Sequence, residues 1–197
     1  MMYWFWAVQS HIWEHYPAHS KFRILEVGVF EAGNTFQLLE TYPKAEVVSV
    51  DPNQPSRLER LQKDYGERFT FYQGTSLDYL GQCEDGFDVV LIDGDHNRYT
   101  VYNELKLLFE GQEQFPLVLL HDIHKPYGRK DFSYNPNTIP DGELNQDRGG
   151  VLSGVEDFID EYTIEADWDS LRMFKLTLYR YGPGVGVLEL LDTEGKP

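Results

Sequence analysis

The sequence predicts an α/β domain, a seven-stranded and mostly parallel sheet between helical layers, closed by an antiparallel C-terminal hairpin. Two observations predict it. Short apolar runs alternate with helix-patterned segments along most of the chain, as parallel strands joined by crossover helices require. The last two β-rich runs, Leu171 to Tyr179 and Val185 to Leu191, are separated only by the turn around Tyr181-Gly182-Pro183-Gly184. That connection is too short for a crossover and suits a hairpin.

The elements follow in order. The opening, residues 1–20, reads as an amphipathic helix with Tyr3, Trp6 and Trp13 on one face, placed to cover the sheet, a partner subunit or a substrate mouth. It lacks a basic leader and a small-residue cleavage site, and it is too short to span a bilayer. Ile24 to Val29 is the first strand, an apolar run broken by Glu26, and Asn34 to Leu39 is helical. Val47 to Val50 is the second strand, followed by a polar helix from Pro55 to Asp64. Phe69 to Tyr72 is the third and ends in the turn Gly74-Thr75-Ser76. Phe87 to Ile92 is the fourth, leading to a helix from Tyr99 to Phe109 with apolar Val101, Leu105 and Leu108. Leu117 to Leu120 is the fifth. Residues 123–148 are rich in Pro, Asn, Gly and Asp, too long for an ordinary connection, and read as a lid, an acceptor-binding loop or a disordered stretch. Val151 to Tyr162 resumes a helix. No repeat or linker divides the chain, so residues 1–197 are expected to form a single domain.

Seventeen Lys and Arg face 33 Asp and Glu, a net charge of −16. Such a field repels nucleic-acid backbones and anionic membrane surfaces, which leaves a small molecule as the expected partner. One cysteine, Cys83, excludes an internal disulfide and fits a reducing cytoplasm. The aromatic opening helix is a plausible contact for a homo-oligomer.

In sheets of this kind the ligand sits beyond the carboxyl ends of the strands. After the first strand, Gly28 and Gly33 allow tight turning and close backbone approach, and Asn34 or Thr35 can start the helix. Asp51 ends the second strand as an acid placed to accept ribose hydroxyls. Gly74-Thr75-Ser76 follows the third, Asp93-Gly94-Asp95-His96 the fourth and His121-Asp122 the fifth. Any one of these is commonplace; five at one end of a sheet make a site. The glycine pattern of dinucleotide-binding enzymes is incomplete, because Phe30 holds its middle position. A Walker cradle is missing, and Gly74-Thr75-Ser76-Leu77-Asp78 lacks the closing glycine of a nucleophile elbow. His11 and His15 stand four apart, but Glu14 adjoins the second histidine, so the zinc-helix order is not met.

Glu26-Val27-Gly28 with Ala32-Gly33-Asn34-Thr35 resembles the first motif of class I S-adenosylmethionine methyltransferases of the small-molecule branch. The segment Phe87 to His96 is similar to the fourth-strand region of macrocin-type O-methyltransferases and cephalosporin-hydroxylase-like proteins. His121-Asp122-Ile123, Gly154 to Phe158 and the final hairpin keep the same order. The resemblance covers about residues 22–191 and implies a Rossmann-like three-layer sandwich. It further implies that Glu26, Gly28, Gly33, Asn34, Thr35, Asp51, Gly74, Thr75, Ser76 and Asp93 hold S-adenosylmethionine. The family's Asp-x-x-His pattern falls on Asp93 and His96, which implies a magnesium ion on Asp93 and Asp122 and a general base at His96, with His121 beside it. Two departures stand out. Thr75 replaces an acid that many members direct at the adenine amino group, and His121 interrupts the second carboxylate pair. The expected reaction is methyl transfer to a small-molecule oxygen. The alternatives are a non-catalytic nucleoside-binding protein and a nicotinamide oxidoreductase.

Overall fold

The central strands bury both faces, and the helices on either side supply the cover that this demands. The computed structural model describes residues 3–144, 148–164, 173–180, 182 and 184–191. Five strands run parallel: β1 (Arg23–Val27), β2 (Glu46–Asp51), β3 (Phe69–Gln73), β4 (Val89–Ile92) and β5 (Leu117–His121). The hairpin strands β6 (Met173–Tyr179) and β7 (Val185–Leu191) complete the sheet in the order β3-β2-β1-β4-β5-β7-β6. β7 inserts antiparallel between β5 and β6. The expected sandwich and reversed hairpin are therefore present. Met1, Met2, Leu171, Arg172, Tyr181, Pro183 and residues 145–147 of the long loop lie outside the described residues.

Alternation along each strand divides the core into two layers. Ile24, Val47, Leu91 and Leu119 face α1 (Tyr3–His15), α2 (Gly33–Thr41) and α3 (Leu58–Tyr65), where Ile12, Leu38, Leu39 and Leu61 are buried. Leu25, Val48, Val90 and Val118 face α5 (Arg98–Glu110) and α6 (Val151–Ile164) through Val101, Leu105, Leu108, Val155 and Phe158. In α1 the docking residue is Ile12, fully buried, with Tyr16 beyond the helix packed on the same cluster. Trp13 is exposed, contrary to the expected face, and the side chains of Tyr3 and Trp6 lie outside the described residues. His15 pairs with Glu189 at 3.2 Å and the His11 ring rests on Tyr179, which gives both histidines a structural contact. Among the described residues no helix is long and apolar enough to cross a membrane.

One short helix was not expected. Instead of a turn, Thr75 caps α4 (Ser76–Leu80) by accepting the Asp78 backbone N–H at 3.1 Å. Thr75-x-x-Asp78 is the capping pattern that signals such a start. The Ser76 hydroxyl then donates to Glu104, a fully buried acid on α5. Burial pushes the Glu104 carboxyl up to about 8, against the opposing effect of the Ser76 hydrogen bond. Its second oxygen finds no partner among the described residues.

Two residues carry testable consequences for stability. Gly28 leaves β1 with φ +86°, and a Cβ there would lie 2.2 Å from the Asp93 carbonyl oxygen. Gly28→Ala is expected to destabilise the fold by about 2 kcal/mol or more in urea unfolding. Gly33→Ala, with nothing within 4 Å of its added carbon, should stay within about 0.5 kcal/mol of the parent. Glu104 keeps its proton in the folded chain to a higher pH than in the unfolded one. Folded protein therefore binds more protons between the ordinary glutamate range and about pH 8, and stability falls as pH rises through that window. Glu104→Gln should flatten this decline, measured as melting temperature from pH 5 to 8.5.

Candidate active site

The turn after β1 is built on a buried acid. The Glu26 carboxylate accepts from Thr35 Oγ1 at 2.6 Å and Ser49 Oγ at 2.7 Å, both on one oxygen. Burial lifts Glu26 to about 7, against those two hydrogen bonds. Glu26 and Thr35 thus tie the turn to α2 and β2 from beneath. Above them Phe30 and Ala32 hold left-handed conformations, φ 48° and 60°, and Phe30 is exposed. Such backbone is rare away from glycine and persists where surrounding contacts enforce it. Gly33 opens α2 with clear space over its Cα, and Asn34 beside it is half-buried.

The enforcing contact is Asp51. Its Oδ2 accepts the Val29 and Phe30 backbone N–H groups at 2.8 and 3.2 Å, and its Oδ1 accepts that of Asn53 at 2.7 Å. A carboxylate offers about four lone-pair positions, so roughly one remains open to a ligand. At the β3 end, Gly74 lies against the Tyr72 ring, where a Cβ would come within 2.5 Å. The Thr75 hydroxyl is engaged with Asp78 and the Ser76 hydroxyl with Glu104. Both side chains expected to read a cofactor are directed at protein partners.

Four groups meet beyond β4 and β5. His121 Nδ1 lies 2.8 Å from Asp93 Oδ1 and 3.3 Å from Asp122 Oδ2. His96 Nε2 lies 3.1 Å from Asp122 Oδ2 and 3.7 Å from Asp93 Oδ1. The ring of His96 is buried, and neither nitrogen makes an aligned hydrogen bond among the described residues. Burial alone would lower the His121 pKa, but hydrogen bonds to Asp122 and Asp93 and their charges raise it to about 9. Burial would raise Asp93, yet the hydrogen bond from His121 and the close approach of His121 and His96 hold it below the ordinary carboxylate range. Asp122 sits at φ 56°, a further left-handed residue at the site. Donor atoms of Asp93, His96 and Asp122 lie within 4.8 Å of one another, close enough to hold a metal ion together.

The loop after β5 folds over this cluster and is anchored at several points. Asp95 accepts from Ser133 Oγ and the Tyr134 N–H, each at 2.8 Å, and the Phe132 N–H donates to the His96 carbonyl at 2.9 Å. Asp131 accepts the Arg98 N–H at 2.8 Å and the Gly150 N–H at 2.7 Å. Arg98 in turn bridges Asp157 and Glu143. Within the loop, Arg129 turns to Glu156 on α6 in a two-pronged ion pair. Asp95 was read only as one of the strand-end acids, and sequence reasoning missed Asp131, Glu104, Phe132 and Tyr134. Only Glu104 carried a local signal, an acid three residues from Val101 and four from Leu108 on the buried face of α5.

A family model described as a methyltransferase domain matches residues 25–123. No curated protein sequence matches the chain. Among solved structures, the fold is similar to that of 1,6-didemethyltoxoflavin-N1-methyltransferase of Burkholderia thailandensis. The TM-score is 0.62 at 13% identity, over 98% of this chain and 79% of that one. It is also similar to human methyltransferase-like protein 13 in complex with S-adenosylhomocysteine, with TM-score 0.54 and 14% identity over 90% and 75% of the two chains. MycE of the mycinamycin biosynthetic pathway, solved with Mg and S-adenosylhomocysteine, has TM-score 0.53 and 19% identity, over 96% of this chain and 48% of that one. With the strand order, the switch-point turn and the family match in agreement, the chain belongs to the methyltransferase-domain family and is an S-adenosylmethionine-dependent methyltransferase.

Proposed function

We propose that the chain methylates a hydroxyl oxygen of a small molecule, with His96 as general base, in the manner of the macrocin-type enzymes its motifs resemble. The observation that carries this reading is the convergence of Asp93, His96 and Asp122 within 4.8 Å at the ends of β4 and β5. The cofactor subsite is the neighbouring turn. Gly28, Gly33, Asn34, Gly74 and Thr75 supply backbone groups, with clear space over Gly33, and Asp51 offers its remaining acceptor position to one ribose hydroxyl. Glu26, Thr35 and Ser76 act through the loops they hold. S-adenosylmethionine supplies an electrophilic methyl group on its sulfonium sulfur.

When bound, the cofactor would give its methyl group to the acceptor oxygen and leave as S-adenosylhomocysteine, and the His96 imidazole would take the hydroxyl proton. Alignment of acceptor and donor accounts for a large part of the rate, and the base contributes about 10²–10⁴-fold. The cluster also fits a divalent ion, because the carboxylates of Asp93 and Asp122 converge beside His96, with donor atoms of the three residues within 4.8 Å of one another. Asp93 and Asp122 would supply oxygen ligands of the kind magnesium prefers. Such an ion would polarise the acceptor hydroxyl. His121 is a positioning group, holding Asp93 and Asp122 through Nδ1. MycE, solved with Mg and S-adenosylhomocysteine, supports the metal assignment by analogy of fold.

The test is methyl transfer from labelled S-adenosylmethionine to a panel of neutral alcohols and phenols. His96→Ala should lower turnover by about a hundredfold or more while the thermal shift with S-adenosylhomocysteine is kept. Unchanged turnover would place the base elsewhere. Asp122→Asn, a residue that tolerates the left-handed backbone there, should abolish any rise in melting temperature produced by Mg2+.

A further inference from the structure

His96 of the cluster and three rings of the loop, Tyr127, Phe132 and Tyr134, touch in a closed circuit. His96 packs on Tyr127 with 5.3 Å between centroids, and Tyr127 on Phe132 with 5.6 Å. Phe132 meets Tyr134 at 4.9 Å, and Tyr134 returns to His96 at 5.9 Å. The two outer members are large apolar groups left open, with Phe132 43% and Tyr134 71% exposed. Grouped aromatics kept in solvent mark a contact surface more often than scattered ones do. They are also fixed in place. Asp95 holds Ser133 and the Tyr134 N–H, and the Phe132 N–H is bonded to the carbonyl of His96. The rings are therefore fastened to the backbone that carries the base.

Charge narrows the occupant. Asp93, Asp95 and Asp122 lie around the same cluster, which disfavours an anionic acceptor, and the guanidinium of Arg129 is bound to Glu156. The rings cross at 61° and 88°, so the surface presents both faces and edges, as edge-to-face and offset stacking require. We propose that this circuit is the acceptor subsite and takes a neutral hydroxylated aromatic ring, packed on Phe132 and Tyr134 with its hydroxyl at His96. The inference rests on the hydroxyl-methylation reading above and adds the class of acceptor to it.

Two probes separate the ring from its hydroxyls: catechol, and trans-1,2-cyclohexanediol, which keeps the vicinal hydroxyl pair without the π system. Saturation-transfer NMR on the full chain, with and without S-adenosylhomocysteine, should give a catechol signal and a cyclohexanediol signal weaker by about tenfold. The double variant Phe132→Leu, Tyr134→Leu keeps apolar side chains and removes the rings. It should weaken catechol by roughly tenfold while the thermal shift with S-adenosylhomocysteine persists. The two single variants provide the same reading if the double variant does not fold. Equal signals from the two probes, no catechol signal, or unchanged catechol affinity in the leucine variants would overturn the proposal. A missing shift with S-adenosylhomocysteine in the parent chain would instead count against the cofactor subsite, and the probe comparison would still decide the ring's role.

Discussion

The arrangement of this molecule depends on one close approach, that of the Gly28 backbone to the Asp93 carbonyl at the switch point of the sheet. A Cβ at Gly28 would stand 2.2 Å from that oxygen, so only hydrogen fits there. The turn after β1 and the end of β4 are thereby held edge to edge. One carries the loop suited to a nucleoside cofactor and the other the first residue of the acid–histidine cluster. The hydrogen bond from the Gly28 N–H to the Val50 carbonyl, 2.9 Å, adds β2 to the same junction. The proposed donor and acceptor subsites are neighbours because three strand ends converge on a residue with no side chain. The glycine was legible in the sequence as a residue for close approach, but its neighbour is protein backbone as well as any ligand.

The acidic character of the chain takes three different forms at this end of the sheet, set by what surrounds each carboxyl group. Asp51 is satisfied by backbone N–H groups. Asp93 and Asp122 share two histidines, and Asp93 is held in its charged form by them. Glu26 and Glu104 are sealed among hydroxyls and apolar side chains, and burial raises both. Desolvation raises Glu26 and Glu104, whereas the histidines beside Asp93 outweigh its burial. The net charge of −16 therefore says little about the site itself.

The sheet order and the reversed hairpin were readable because apolar runs and connection lengths leave few alternatives for a parallel sheet. The strand-end residues were readable for the same reason, since topology alone brings His96, His121, Asp93 and Asp122 to one edge. What each side chain does there was less accessible. Ser76 was expected to face a ligand, yet its hydroxyl reaches 28 residues along the chain to Glu104. That pairing is decided by how α4 and α5 pack, which no local pattern encodes. The phase of α1 shows the same limit, because Trp13 and Ile12 are adjacent and only docking decides which of them is buried.

The loop over the site shows how packing turns a composition rich in breakers into a fixed surface. Its sequence gave three readings, of which the anchors favour an acceptor wall over a freely opening lid. Asp95 accepts from Ser133 Oγ and the Tyr134 N–H of the loop, and the loop's own Asp131 accepts from the Arg98 N–H of α5 and the Gly150 N–H just before α6, all at 2.7 to 2.8 Å. Hydrogen bonds to charged groups contribute about 1.5–3 kcal/mol each, so lifting the loop from both carboxylates costs more than a small acceptor's binding readily supplies. On the proposed reading the loop holds Phe132 and Tyr134 in register with His96, whose carbonyl is itself one of the anchors. A base and an acceptor surface fastened to the same backbone keep their spacing whichever acceptor arrives, and alignment is the part of methyl transfer that a protein can most directly provide.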